Sequence, residues 1–256
     1  MAWFNFLSKD IVLHCYTAQP AVFNYTPIRK AAAFLPDWWK ALPAFFPHET
    51  GMGSNATMKL CPGFTQLFAK GFVLPLWSEV SIDIEKKIDP DVENHNYQYR
   101  YQFSDGTSSF GLHEEEQSGG VYPISEYQHL KFISPWSFSC TEDISFLQIQ
   151  SSWNFKNPEK MFIPPGVLNF KYQRATHVNA LWPRGIEDTI HDLDFGQPLT
   201  HYIPLTERKV KLQLHLISSE EFSNMNKMMV RTSFINKYKK NKKILKERGC
   251  PFQYKV

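Results

Sequence analysis

Residues 210–216 read Val-Lys-Leu-Gln-Leu-His-Leu, and directly after them the chain changes its hydrophobic period. A β-strand turns successive side chains to opposite faces. Val210, Leu212, Leu214 and Leu216 therefore share an oily face, while Lys211, Gln213 and His215 share a wet one. Ser218 and Glu221 then have the spacing of a capping box, in which the two side chains satisfy the first free N–H groups of a helix. Phe222, Met225, Met229 and Phe234 follow at helical spacing, as a stripe that docks on the body. The stretch predicts a half-buried strand, a helix over 218–249 and the junction between them. It names no chemistry.

The same pattern recurs upstream. Val80, Ile82 and Ile84 alternate with Ser81, Asp83 and Glu85, and Tyr97, Tyr99, Tyr101 and Phe103 alternate with Gln98, Arg100 and Gln102. Further short strands are expected over 11–17, 72–77, 130–133, 137–140, 146–152, 167–174 and 177–182. The turn signal Ser104-Asp105-Gly106-Thr107 predicts a hairpin into 108–114, and the acidic run 184–196 reads as a loop. Aromatic residues make up 15% of the chain and 17 Pro exceed 12 Gly, which favours strands with well-defined loops over a helical bundle. Between the first two strands lies Pro36-Asp37-Trp38-Trp39-Lys40-Ala41-Leu42-Pro43, where Asp37 is expected to cap a short helix bounded by prolines. The expected fold is a single mainly-β domain over 1–256. It is a β-sandwich or jelly-roll-like body with an N-terminal Trp/Pro-rich helical insert at 18–57 and a basic C-terminal helix at 218–249.

Charge and cysteine content remove several classes. A net charge of +3 is too mild to imply nucleic-acid binding overall. The segment from Lys227 to Arg248, however, carries nine Lys and Arg against Glu247 alone. Such a helix is a solvated face that could meet phosphates, an acidic membrane surface or an acidic protein. Cys15, Cys61, Cys140 and Cys250 form no CxxC pair, which argues against a zinc ribbon and suits a reducing compartment. Residues 1–10 lack the basic and apolar regions of a secretory leader, so no signal peptide is expected. No apolar run approaches the length of a membrane span.

Candidate chemistry centres on the histidines. On a strand, His113 and Glu115 of Gly111-Leu112-His113-Glu114-Glu115 would point to one side. His177, His201 or His215 could then complete a two-histidine, one-carboxylate iron site with open coordination positions. His191-Asp192-Leu193-Asp194 is a second possible metal ligand set. There is no GxSxG elbow, GxGxxG or GxxxxGK[ST]. For binding rather than catalysis, Trp38 and Trp39 offer a platform, although at least one should anchor the insert to the sheet. Lys171, Tyr172 and Arg174, with His177, mix basic and aromatic side chains as a nucleic-acid face would.

A resemblance runs through most of the chain. It is carried by Pro27-Ile28, Pro36-Asp37-Trp38-Trp39-Lys40, Met58-Lys59-Leu60-Cys61-Pro62-Gly63-Phe64, Trp153-Asn154-Phe155, Ile163-Pro164-Pro165-Gly166, Gly196-Gln197-Pro198-Leu199 and Ile203-Pro204-Leu205. Together these segments resemble an uncharacterised protein family of tailed, T4-like marine phages. Their order is also similar to that of a bacterial family of unknown function with a cysteine-proline-leucine segment, although Gly63 here follows Cys61-Pro62 where that pattern has leucine. The resemblance brings no activity and no site residues. What it implies is a non-enzymatic phage protein: a virion-associated component or a host-factor-binding module, in the virion or host cytoplasm, with a protein partner and no cofactor. The alternative from the residues alone is a non-haem iron, oxygenase-like jelly-roll enzyme.

Overall fold

The computed structural model describes residues 10–47, 54–87, 96–103, 110–112, 127–153, 161–183, 189–227 and 243. In chain order the elements begin with β1 (Ile11–Thr17), α1 (Pro20–Tyr25), β2 (Arg29–Lys30), α2 (Asp37–Ala41), β3 (Phe45–Pro47) and β4 (Ser54–Ala56). Next come α3 (Pro62–Ala69), β5 (Phe72–Pro75), β6 (Val80–Lys87), β7 (Asn96–Phe103), β8 (Phe110–Leu112), β9 (Tyr127–Phe132) and β10 (Ser137–Cys140). The remainder are β11 (Phe146–Gln150), β12 (Gly166–Leu168), β13 (Val178–Pro183), β14 (Thr189–Leu193), β15 (Pro198–Pro204), β16 (Val210–Leu216) and α4 (Ser219–Lys227). The protein is mainly β, with several sheets.

A five-stranded central sheet runs β12-β11-β15-β5-β2, and a three-stranded sheet runs β10-β1-β16. In the latter, β1 pairs with β10 antiparallel and with β16 parallel, so strands almost 200 residues apart lie side by side. Alternation decides which side chains go inward. Ile11, Leu13 and Cys15 are fully buried, while Val12, His14 and Tyr16 turn outward. The buried faces of the two sheets meet through aromatic rings. Phe138 of β10 lies 5.6 Å from Phe72 of β5 and 5.7 Å from Tyr202 of β15, and Phe170 lies 4.9 Å from both Phe138 and Phe146. Such ring pairs add about 0.5–1.5 kcal/mol each beyond area burial. The sheets β13-β9-β8 and β14-β6-β7 join the same core through Leu130, Phe132, Val178, Trp182, Val80, Ile82 and Leu193.

Strand β5 is buried on both faces. Phe72 and Leu74 enter the main core, whereas Val73 points the other way, into a second cluster with Ala31, Trp39, Phe68 and Trp153. The Trp/Pro-rich insert therefore covers the back of the central sheet.

Several sequence expectations change here. The insert runs on past residue 57 to Ala69, and it contains a strand of the central sheet and a hairpin as well as helices. Pro36, not Asp37, takes the cap position of α2; Asp37 is the first helical residue and pairs with Lys40 at 2.9 Å. Strand β7 pairs with β6, and β8 with β9; among the described residues β7 and β8 do not pair, and the rest of the expected hairpin, 104–109 and 113–114, lies outside them. The acidic run holds strand β14: His191 and Leu193 are buried and Asp192 is exposed, which is a half-buried strand with charge on its wet face. The capping box forms as expected. Glu221 Oε2 accepts from Ser218 N at 3.0 Å and Ser218 Oγ at 2.8 Å, and Glu221 N donates to Ser218 Oγ at 3.2 Å. Met225 is buried; Met229 and Phe234 lie outside the described residues.

Candidate functional site

The insert is anchored from below and open above. Trp39 packs edge-on against Phe68 at 4.8 Å, Phe68 against Trp153 at 5.4 Å, and Trp153 against His201 at 5.1 Å. His201 is fully buried on β15, opposite Val73. Its Nε2 lies 2.8 Å from the Lys70 carbonyl oxygen. A carbonyl can only accept, so Nε2 carries the proton and Nδ1, which has no hydrogen-bond partner among the described residues, holds the lone pair. Burial holds this imidazole below the usual histidine range, opposed by the bond to Lys70. It is a neutral donor that ties the end of α3 to the central sheet. Gly71 makes the approach possible: its φ is +78°, and a Cβ there would sit 2.1 Å from the Tyr202 carbonyl oxygen.

Above this anchor, the segment from α2 to α3 exposes apolar side chains. Phe45 and Phe46 of β3 are 53% and 50% exposed, and Trp38, Met58, Leu60 and Phe64 are also exposed. Among the described residues strands β3 and β4 pair only with each other, with Phe45 opposite Ala56 and Phe46 opposite Asn55. Neighbouring residues of a strand face opposite sides, so each side of this ribbon presents a phenylalanine. The ribbon is nonetheless fastened to α2. Thr57 Oγ1 donates to the Pro43 carbonyl at 2.6 Å, and Lys59 Nζ donates to the carbonyls of Leu42 at 2.8 Å and Lys40 at 3.1 Å. Lys59 thereby satisfies carbonyls at the C-terminus of α2, where a cation is favoured.

The two tryptophans differ in burial, and one of them is the anchor expected of the pair. Trp39 is the buried anchor, and Trp38 is 36% exposed while its Nε1 donates to the Trp153 carbonyl at 3.2 Å. The second candidate face is folded inward. Tyr172 is buried and its hydroxyl donates to Asp143 Oδ2 at 2.7 Å, while Asn169 Nδ2 donates to Oδ1 at 2.8 Å. Lys171 Nζ lies 6.0 Å from the Tyr172 ring centroid. The Arg174 carbonyl accepts from Phe138 N at 2.8 Å, so this segment is stitched to β10. Tyr172 thus offers no open ring for stacking.

His113 and Glu115 lie outside the described residues. His201 belongs to the central sheet, His215 to the sheet β10-β1-β16, and His177 precedes β13. Among the described residues no three His, Cys, Asp or Glu side chains gather as a metal site. His177 is pushed down to about 4, by burial first and by the Lys131 cation second. His191, with Asp192 and Asp194 at the end of β14, is buried 4.9 Å from the Trp182 ring. Apart from the helical position of Lys243 and the backbone of Lys227, the basic run 227–248 is outside the described residues.

Among the described residues no helix is long and apolar enough to cross a membrane. No protein-family model matches the chain, and no curated protein matches it.

The exposed aromatic hairpin was not singled out from sequence. Its signal was Phe45-Phe46 beside the polar, glycine-containing segment 48–55, which marks a turn but does not reveal that both rings stay half exposed.

Proposed function

We propose that this chain is a non-enzymatic protein of a tailed, T4-like phage that binds a protein partner through its Trp/Pro-rich insert. It acts as a virion-associated structural component or as a binder of a host factor, in the virion or the host cytoplasm. The phage assignment rests on the segments from Pro27-Ile28 to Ile203-Pro204-Leu205 that resemble that family. The observation that carries the binding assignment is the hairpin β3–β4 with Phe45 and Phe46 half exposed. A two-stranded ribbon alone is marginal in water, and uncovered aromatic side chains mark surfaces that another protein covers. Aromatic anchors with a polar rim are the usual centre of protein interfaces. The body, read as a β-sandwich or jelly-roll, carries the insert on the back of its central sheet through Trp39, Phe68 and Trp153.

Mass spectrometry of purified particles tests the proposal. A stoichiometric amount in the particle supports the virion role. Absence from particles, with cross-links from residues 45–60 to one host protein in infected cells, supports the host-factor role. Turnover of a small molecule by the purified chain contradicts both.

A further inference from the structure

The outward face of the sheet β10-β1-β16 carries a cluster of polar rings that the insert does not use. Directly paired residues in a sheet share a face. His14 therefore lies in one row with Ser139 of β10 and Gln213 of β16, and Tyr16 lies in the next row with Ser137 and His215. His14 and His215 are diagonal neighbours, and His14 Nδ1 sits 3.0 Å from His215 Nε2. Tyr16 stacks on His215 at 4.7 Å with 17° between the rings. Each histidine is partly buried.

We propose that His14 and His215 form a two-imidazole binding site for a divalent transition-metal ion, of the copper(II) or nickel(II) class. Imidazole is a good ligand for these ions. With a metal–nitrogen distance of about 2.05 Å, nitrogens 3.0 Å apart subtend about 94° at the metal. That is the angle between neighbouring positions of a square-planar or octahedral ion. A tetrahedral ion such as zinc would need the nitrogens about 3.35 Å apart. In the present geometry the two nitrogens share a hydrogen bond and face each other. To converge on a metal, each ring turns its lone pair about 40° off the line between them, within the broad χ2 freedom of histidine. The nitrogen that carries the shared proton shifts it to the other nitrogen of its own ring, so no net proton is released. Burial holds both histidines below the usual range, and in His14 the neighbouring His215 adds to it, so both rings are neutral near pH 7. Water completes the coordination, with the oxygens of Gln213 and Ser139 on the same face beside His14.

The tag-free full-length protein is titrated with copper(II) and followed by calorimetry and electron paramagnetic resonance. The expected result is about one tight equivalent with a tetragonal spectrum showing two nitrogen ligands. His14→Ala and His215→Ala should each weaken that equivalent at least tenfold and remove the two-nitrogen signature, whereas Tyr16→Phe should retain it. A measurement on the unaltered protein covers the case in which a variant fails to fold. Bound copper should protect His14 and His215 from acylation by diethyl pyrocarbonate, as mapped by peptide mass. Equal acylation of both histidines with and without copper overturns the proposal, as does unchanged copper affinity in a folded double variant.

Discussion

His201 Nε2 and the Lys70 carbonyl oxygen are 2.8 Å apart, and this bond joins the central sheet to the last turn of the insert. Replacing His201 by Phe keeps the ring volume against Trp153 but leaves the part-buried Lys70 carbonyl without its donor. Such a loss costs about 1–3 kcal/mol. Urea unfolding should show that decrease, and hydrogen exchange should show α3 losing protection before β15. Unchanged stability would mean that the bond does not hold the insert.

Gly71 and Gly196 provide a matched pair, because their φ angles are +78° and +77°. An alanine at Gly196 meets nothing within 4 Å and carries only the left-handed strain of about 1–2 kcal/mol. At Gly71 the added Cβ also strikes the Tyr202 carbonyl oxygen at 2.1 Å. Gly71→Ala should therefore lower the melting temperature clearly more than Gly196→Ala. Equal shifts would contradict the close approach of α3 to β15.

Acid should destabilise the fold before its carboxylates titrate. His177 is held near 4 when folded, against 6.5 when free, so the unfolded chain binds the extra proton between those values. Stability therefore rises with pH across that window and is lost as pH falls from about 6.5 towards 4, with a slope of up to about 1.4 kcal/mol per pH unit for one such group. His201, His14 and His215 are shifted in the same direction. Urea unfolding at pH 7, 6 and 5 should show this slope, and His177→Gln should flatten it. A stability independent of pH in this range would contradict the burial of these rings.

Strands with one wet face were legible in the sequence, and those without one were not. Residues 11–17, 80–85 and 210–216 show their period of two because Leu13 and Ile82, for example, point into the core while their neighbours do not. Strand β15 escaped because Leu199, Thr200, His201 and Tyr202 are all buried and prolines sit at both ends, which leaves no alternation to read. Strand β14 was mistaken for a loop because one of its inward residues, His191, is polar and the other, Leu193, sits between Asp192 and Asp194. That at least one of Trp38 and Trp39 anchors the insert was legible from the residue type, but not that Trp39 is the buried one. The pairing of His14 with His215 was not legible, since it depends on the parallel pairing of β1 and β16, which lie almost 200 residues apart in the sequence. The exposure of Phe45 and Phe46 was equally hidden, because a pattern of residues does not show what lies above a ribbon.

The C-terminal junction gives a local test. Ser218→Ala removes the capping-box hydroxyl and should cost about 1 kcal/mol. Met225→Asp places a carboxylate in a buried methionine site and should cost about 2–5 kcal/mol. Thermal unfolding checks both; a Met225→Asp protein that melts like the parent would show that α4 is not docked.

The central claim is that the hairpin of the insert is a protein-docking surface. The most direct measurement introduces Phe45→Ser and Phe46→Ser together into the gene of this protein, in the phage that the proposed function calls for, and quantifies the protein in complex with its partner, in particles or in infected cells. Both side chains are half exposed, so the purified variant should melt within a few degrees of the parent. The account predicts that this folded variant is lost from the particle or host complex by tenfold or more. Undiminished incorporation or complex formation by the folded variant would contradict it.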